Sequence, residues 1–355
     1  MPRVLRRRFV TALALATALP LVTAAQLGGA SADAPASPAS AGAGAPGGIL
    51  LPGAPEDVRI DVAHELPGER VYPEGVTVDP RTGHLFAGSF EDGTIYRMTP
   101  GRRVAETFLP AGTDGRDTAN GLTVDAEGRL WVTDSTTGVT VYDADDGRRI
   151  ASFEVPGDAP RFVNDLTVAP DGTAYLTDTV RAVVYAVTPE QLAAAAGAEC
   201  AGPLTVRHDL SGVIQPQPEG TYTLNGIVAD PVGAYLLVVD MAAGDLYRVD
   251  TATQRITRVA LSGGDMVQGD GMVLRDGRLW LVQNGLDTLS RWSVSADGTR
   301  ATLSVSHTDE SLQFPTTLTR RDGRLYVVRS QFDRGGPSGP GTPEPPFTIA
   351  EVTGL

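Results

Sequence analysis

Only one cysteine, Cys200, stands in the 355 residues, so no intramolecular disulfide can form and the fold must hold by packing alone. No histidine but His208 lies near it, and it reads as a small, partly buried thiol rather than a nucleophile. Histidine is almost as scarce, at His64, His84, His208 and His307. Cations are few: 29 Lys and Arg against 43 Asp and Glu leave a formal net charge of -14. Residues 1–32 hold Arg3, Arg6, Arg7 and Arg8 and no acid, so a chain starting at Asp33 carries -18. Such a surface repels phosphate backbones and anionic lipid, and neither nucleic acid nor a membrane is expected as a partner. Long hydrophobic runs are missing too. The one apolar stretch, residues 9–22, is too short and too soon followed by Ala, Pro and Gly to span a bilayer.

That stretch reads instead as an export signal. Arg6, Arg7 and Arg8 precede it, and small-residue cleavage candidates follow at Ala30-Ser31-Ala32 or Thr23-Ala24-Ala25. Consecutive arginines before Phe9-Val10 fit a twin-arginine signal, with an ordinary secretory signal as the competitor. The expected organisation is a signal peptide at 1–32, a disordered Ala/Pro/Gly/Ser linker at 33–54 and one folded unit at 55–355, secreted and working as a monomer.

What the folded part does have is a repeat. The phrase GDGMVLRDGRLWLVQN, from Gly269, recurs as PEGVTVDPRTGHLFAGSF from Pro73, NGLTVDAEGRLWVTDS from Asn120, NDLTVAPDGTAYLTDT from Asn164, NGIVADPVGAYLLVVD from Asn225 and TTLTRRDGRLYVVRS from Thr316. Each copy is a strand, a turn built on Asp and Gly, and a second strand. Equivalent positions are 46, 44, 61, 45 and 46 residues apart, the spacing of four-stranded propeller blades. The long third unit carries a short helix at 189–197, opened by Pro and closed by Gly. The expected fold is all-β, a six-bladed β-propeller. Its ring is closed by a first strand at 58–64 pairing beside a last strand at 348–352, so that no sheet edge stays open. The Gly/Pro-rich segment 330–347 is expected on the face where the inner strands begin, as a flap.

Six residues stand at the mouths of the inner strands: Glu74, Asn120, Asn164, Asn225, Asp270 and Thr316. All carry a side-chain oxygen, two are carboxylates, and none is basic. Converging on the axis, they form a hard-oxygen set suited to Ca²⁺, with the two carboxylates balancing its charge. No histidine falls at these positions, which disfavours zinc. A bland reading competes, since Asn-Gly and Asp-Gly are ordinary turn dipeptides and propeller tunnels are wet. Glu74, however, is no turn former, and carboxylates repel across a narrow tunnel unless a cation holds them. Asp165 reads either as a ligand of the same or a second cation or as a turn residue. Phe162, Tyr222, Met266 and Phe314, on mouth-side loops, suggest apolar walls.

Pro-Glu-Gly at 73–75, Asn-Asp at 164–165, Asn-Gly at 225–226 and Asp-Gly-Met at 270–272, in this order, resemble the senescence-marker-protein, gluconolactonase and luciferin-regenerating-enzyme family, with the paraoxonases as more distant relatives. The resemblance covers the whole folded part. It implies one divalent cation, usually calcium, held by Glu74, Asn164, Asn225 and Asp270, and hydrolysis of a lactone or related ester. It implies that Asp270 is both ligand and the residue that activates water, and that Asn120 and Asn164 steady substrate oxygens. Two departures stand out. Asn120 occupies a place near which paraoxonases have histidine, and Arg161 is displaced from where sugar lactonases carry arginine. The latter argues against an aldonolactone. Two other readings stay open: a non-catalytic secreted propeller that binds a ligand or protein at its mouth around a structural metal, and a strictosidine-synthase-like propeller without metal. The differentiated character of the six positions favours an enzyme over a structural plug.

Overall fold

The computed structural model describes residues 57–355, so the expected signal peptide and linker lie outside the described residues. Six sheets follow one another along the chain, antiparallel apart from a short parallel edge strand in two of them, and each begins at its inner strand: Pro73–Val78, Leu122–Val124, Val163–Val168, Leu224–Ala229, Gly269–Arg275 and Leu318–Arg321 in blades I to VI. Middle strands such as Leu85–Ser89, Ala174–Asp178 and Tyr235–Asp240 are buried along their whole length, which explains their nearly continuous apolar sequence. A sheet packed on both faces has no place for a polar side.

The core is divided accordingly. Six apolar clusters lie one between each pair of neighbouring blades. Trp131 of blade II packs with Tyr185 of blade III, and Tyr326 of blade VI packs with Val76 of blade I. That last contact turns a row of sheets into a closed six-bladed propeller.

The closure is as expected, over slightly longer strands. Arg59–Leu66 lies antiparallel to Phe347–Thr353 from Arg59 opposite Thr353 to Leu66 opposite Phe347, and forms the outer edge of blade VI. The helix of the third unit spans Pro189–Ala195, with Thr188 and Gln191 forming a reciprocal capping box. Past it, Gly202–Pro203 pairs in parallel with Arg149–Glu154 on the edge of blade II, and Ala260–Ser262 does the same with Arg300–Thr308 on blade V. These edge additions are too short to carry a sequence period. Cys200, in the same insertion, is exposed rather than partly buried, because the segment runs outside every blade interface.

The aspartates of the repeats are turn formers, as read. Asp276-Gly277 and Asp322-Gly323 have φ of 51°, 68° and 51°, 81°, the double left-handed turn that suits strand twist. The Gly/Pro-rich segment 330–346 lies on the mouth face. It is clamped by Gln331, whose side chain accepts from the Glu344 N–H (2.7 Å) and donates to the Glu344 carbonyl (3.1 Å). No helix among the described residues is long and apolar enough to cross a membrane.

Candidate functional site

In blades I, III, IV and V the ladder between inner and second strands skips at the strand mouth, between Pro73 and Val76, Val163 and Leu166, Leu224 and Ile227, and Gly269 and Met272. The skipped pair is the mouth residue and the one after it. A bulge of this kind re-aims a side chain out of the sheet. In four blades the second skipped position, or its equivalent, is glycine, and the need is steric. A Cβ on Gly75 would lie 2.0 Å from the Asn120 carbonyl oxygen, and one on Gly226 2.2 Å from that of Asp270. Without that Cβ, successive inner strands can close to backbone contact: the Gly121 N–H donates to the Asn164 carbonyl (3.2 Å) and the Gly271 N–H to the Thr316 carbonyl (2.8 Å).

Where the glycine is missing, side chains make the joint. The Thr316 hydroxyl donates to the Glu74 carbonyl (2.7 Å), linking blade VI to blade I. Between blades III and IV, where Asp165 stands in the glycine place, the Asn164 amide donates to Asn225 Oδ1 (3.0 Å) and the Thr177 hydroxyl to the Asn225 carbonyl (2.8 Å). The six predicted mouth residues therefore close a ring, hydrogen-bonded at the II–III, III–IV, V–VI and VI–I joints and in tight backbone approach at the other two, and all six are buried.

Their polar atoms are unevenly satisfied. Glu74 Oε2, Asn120 Oδ1 and Asn164 Oδ1 are buried without a hydrogen-bond partner, which a folded chain seldom tolerates. Burial, then the charges of Asp270 and Asp165, push the Glu74 carboxyl well above the usual carboxylate range. Asp270 is raised by burial as well, against the donation from Asn284 and with the Asp165 charge adding to the rise. Asp165 faces the tunnel beneath the ring, a cavity of about 200 Å³. Burial lifts its carboxyl to about 7, although it accepts from the Leu166 N–H (2.8 Å) and the Ile227 N–H (3.4 Å). No basic group figures among the charges acting on Glu74 or Asp270. Among the described residues no three His, Cys, Asp or Glu side chains are gathered into a metal cluster. The donors drawn together at the mouth are instead two carboxylates and asparagine oxygens.

Sequence reasoning missed a second circle of residues. In blades III, IV and V the ring residue is held by the residue that follows the second strand. The Asn164 amide donates to Thr179 Oγ1 (3.0 Å), the Asn225 amide to Met241 Sδ (3.4 Å), and the Asn284 amide to Asp270 Oδ2 (3.1 Å). Each holder comes directly after the partner of the residue preceding the ring position: Asp178 opposite Val163, Asp240 opposite Leu224, Gln283 opposite Gly269. The regularity was available from the repeat, but only once the register was known. In blade I, where Ser89 is opposite Pro73, the corresponding residue is Phe90.

Phe162, Phe314 and Tyr222 are on the mouth, the first two half-buried and Tyr222 exposed. Met266 is not a wall residue; it is fully buried in the cluster between blades IV and V. The Arg161 guanidinium is turned back on its own loop, donating to the carbonyls of Val155 (2.9 Å) and Gly157. The buried histidines lie at the periphery, His64 on the closing strand and His208 on the outer strand of blade III.

No protein-family model matches the chain, and no curated protein does. Solved structures do. A gluconolactonase from Xanthomonas campestris is similar at 17% identity and a TM-score of 0.57, over 86% of this chain and 98% of that one. The likeness includes a gluconolactonase, as the motifs implied. An oxidoreductase described as a glucose dehydrogenase, from Thermus thermophilus, gives 16% and 0.56 over 84% and 100%. Virginiamycin B lyase from Staphylococcus aureus gives 13% and 0.54 over 84% and 99%. At such identities the likeness is one of fold, and function has to be argued from the site.

Proposed function

We propose that this propeller is a divalent-cation-dependent hydrolase of lactones or related esters, exported from the cell, with Ca²⁺ as the resident ion. The observation that supports it best is the buried pair Glu74 and Asp270, with no basic partner and with the unpartnered oxygens of Glu74, Asn120 and Asn164 beside it. Two ionised acids in one buried site need a positive charge, and hard oxygens at low ligand charge suit calcium.

Glu74, Asn164, Asn225 and Asp270 would hold the ion. When bound, it supplies Lewis-acid polarisation of a carbonyl and lowers the pKa of a water. Asn120 offers its side chain toward a substrate oxygen, while Asn164, expected in the same role, has both amide hydrogens spent on Thr179 and Asn225 and keeps only Oδ1, for the ion. Asp270, whose Oδ2 is fixed by Asn284, keeps Oδ1 to orient a water and take its proton as the water oxygen bonds to the carbonyl carbon. The ring C–O bond then breaks, and the proton passes to the leaving oxygen to give the hydroxy acid. Burial of the mouth residues keeps bulk water from competing with these contacts.

The test is hydrolysis of a lactone and ester panel by calcium-loaded protein, with and without chelator and with Asp270→Ala. Turnover lost on chelation and in the variant is expected, with cooperative unfolding preserved. A loaded protein that turns over nothing in the panel would instead favour a non-catalytic binding propeller.

A further inference from the structure

We infer that the substrate carries a flexible apolar arm, an alkyl or aryl substituent on the lactone or ester, lodged under aromatic rings at the mouth; this rests on the hydrolase reading above. Phe90 and Phe162 stack with centroids 6.4 Å apart and planes 21° from parallel. Phe90 belongs to blade I and Phe162 to the loop entering blade III, with blade II between them. Side chains from alternate blades meet only close to the axis, so this pair lies over the mouth and not at its rim.

The register gives the same placement independently. Phe90 occupies in blade I the position from which Thr179, Met241 and Asn284 touch the ring residues of their own blades, which sets it beside Glu74. From this pair the aromatic surface extends both ways: to Tyr222 at 5.3 Å from Phe162, and through Phe332, 5.3 Å from Phe90, to Phe314 at 6.0 Å. A Cβ on Gly285, next to Asn284, would lie 3.6 Å from the Phe314 ring, so this end reaches the neighbourhood of Asp270. Phe332 alone of the five is buried; the others keep exposed surface. The amides of Asn164 and Asn284 are spent on neighbouring mouth residues, the unpartnered oxygens of Glu74, Asn120 and Asn164 are buried, and the Arg161 guanidinium is engaged by its own loop. A reacting carbonyl would thus meet oxygens while the rest of the molecule meets rings, which suits a hydrocarbon arm and leaves the hydroxyls of a sugar ring without partners.

The experiment uses calcium-loaded protein and calorimetric titration with non-hydrolysable 2-alkylcyclopentanones from ethyl to octyl. In parallel, kcat/KM is measured on the matching 5-alkyl-γ-butyrolactones and on glucono-1,5-lactone. The expected result is a Kd that tightens about fourfold per added methylene, levelling once the chain outruns the rings, and a slope that flattens in Phe162→Ala and Tyr222→Ala while both variants keep the calcium-induced rise in melting temperature. An affinity indifferent to chain length, or glucono-1,5-lactone preferred over every alkyl lactone, overturns the inference. A rising slope without turnover keeps the ligand class and removes the hydrolase; turnover with a flat slope does the reverse.

Discussion

The side-chain amide of Asn164 donates to Oδ1 of Asn225 over 3.0 Å, joining blades III and IV at the point where Asp165 displaces the glycine used elsewhere. The bond leaves Asn164 Oδ1 free and buried. Asn164→Ala and Asn225→Ala are therefore expected to be non-additive. A double-mutant cycle read by chemical denaturation should give a coupling of about 0.5–3 kcal/mol. Additive losses would mean the two amides act separately.

Neutralising either buried acid should have opposite effects with and without calcium. In Glu74→Gln or Asp270→Asn the metal-free protein is expected to melt higher than the parent, because like charges no longer share a buried site. The calcium-induced rise should shrink or vanish. In Asp270→Asn, hydrolysis should also fall by about two to four orders of magnitude. Calorimetry with and without a chelator checks the first two, and steady-state kinetics the third.

Asn284 touches the circuit only through Asp270 Oδ2. Asn284→Ala should weaken calcium binding by about 10- to 100-fold, as loss of a residue that orients a ligand usually does. Titration with calcium decides it, and partial recovery in Asn284→Gln would point to positioning rather than bulk.

Gly226→Ala places a methyl 2.2 Å from the Asp270 carbonyl oxygen, a backbone atom that cannot rotate away. A loss of about 1–3 kcal/mol or more is expected, together with weaker calcium binding, as the two inner strands are forced apart. Gly212, with nothing within 4 Å of its added Cβ, is the control, and Gly212→Ala should be nearly neutral.

His208 supplies a pH signature away from the site. Burial holds its imidazole down at about 4, against an ordinary value of 6.5. The folded form keeps the ring neutral while the unfolded chain protonates it. Its contribution is therefore fully present above pH 6.5 and is lost as pH falls toward 4. His208→Phe should flatten the stability profile across that window, measured as the urea midpoint against pH.

Much of this molecule was legible in the chain. Six phrases, four of their five intervals at 44 to 46 residues and one lengthened to 61 by the helical insertion, established the blade count, and the alternating strand before the first phrase announced the closure. The mouth residues were legible because every copy places them two residues before an apolar residue of the inner strand: Val76, Leu122, Leu166, Ile227, Met272 and Leu318. Phe90 and Asn284 were not, since each is defined by an inter-strand register and neither carries a signal of its own. Met266 misled because a methionine in a loop reads alike whether it faces solvent or fills the gap between two sheets.

By itself the sequence determined the repeat, and with it the ring, because a unit with two apolar faces can bury both only against copies of itself. It also determined which oxygens stand at the axis. Only the tertiary structure decided which of them remain unpartnered, that Asp165 lies in the tunnel, and that aromatic rings two blades apart meet over the mouth. Those facts depend on distances between strands that are remote along the chain, and such distances are set by how six sheets pack around one axis.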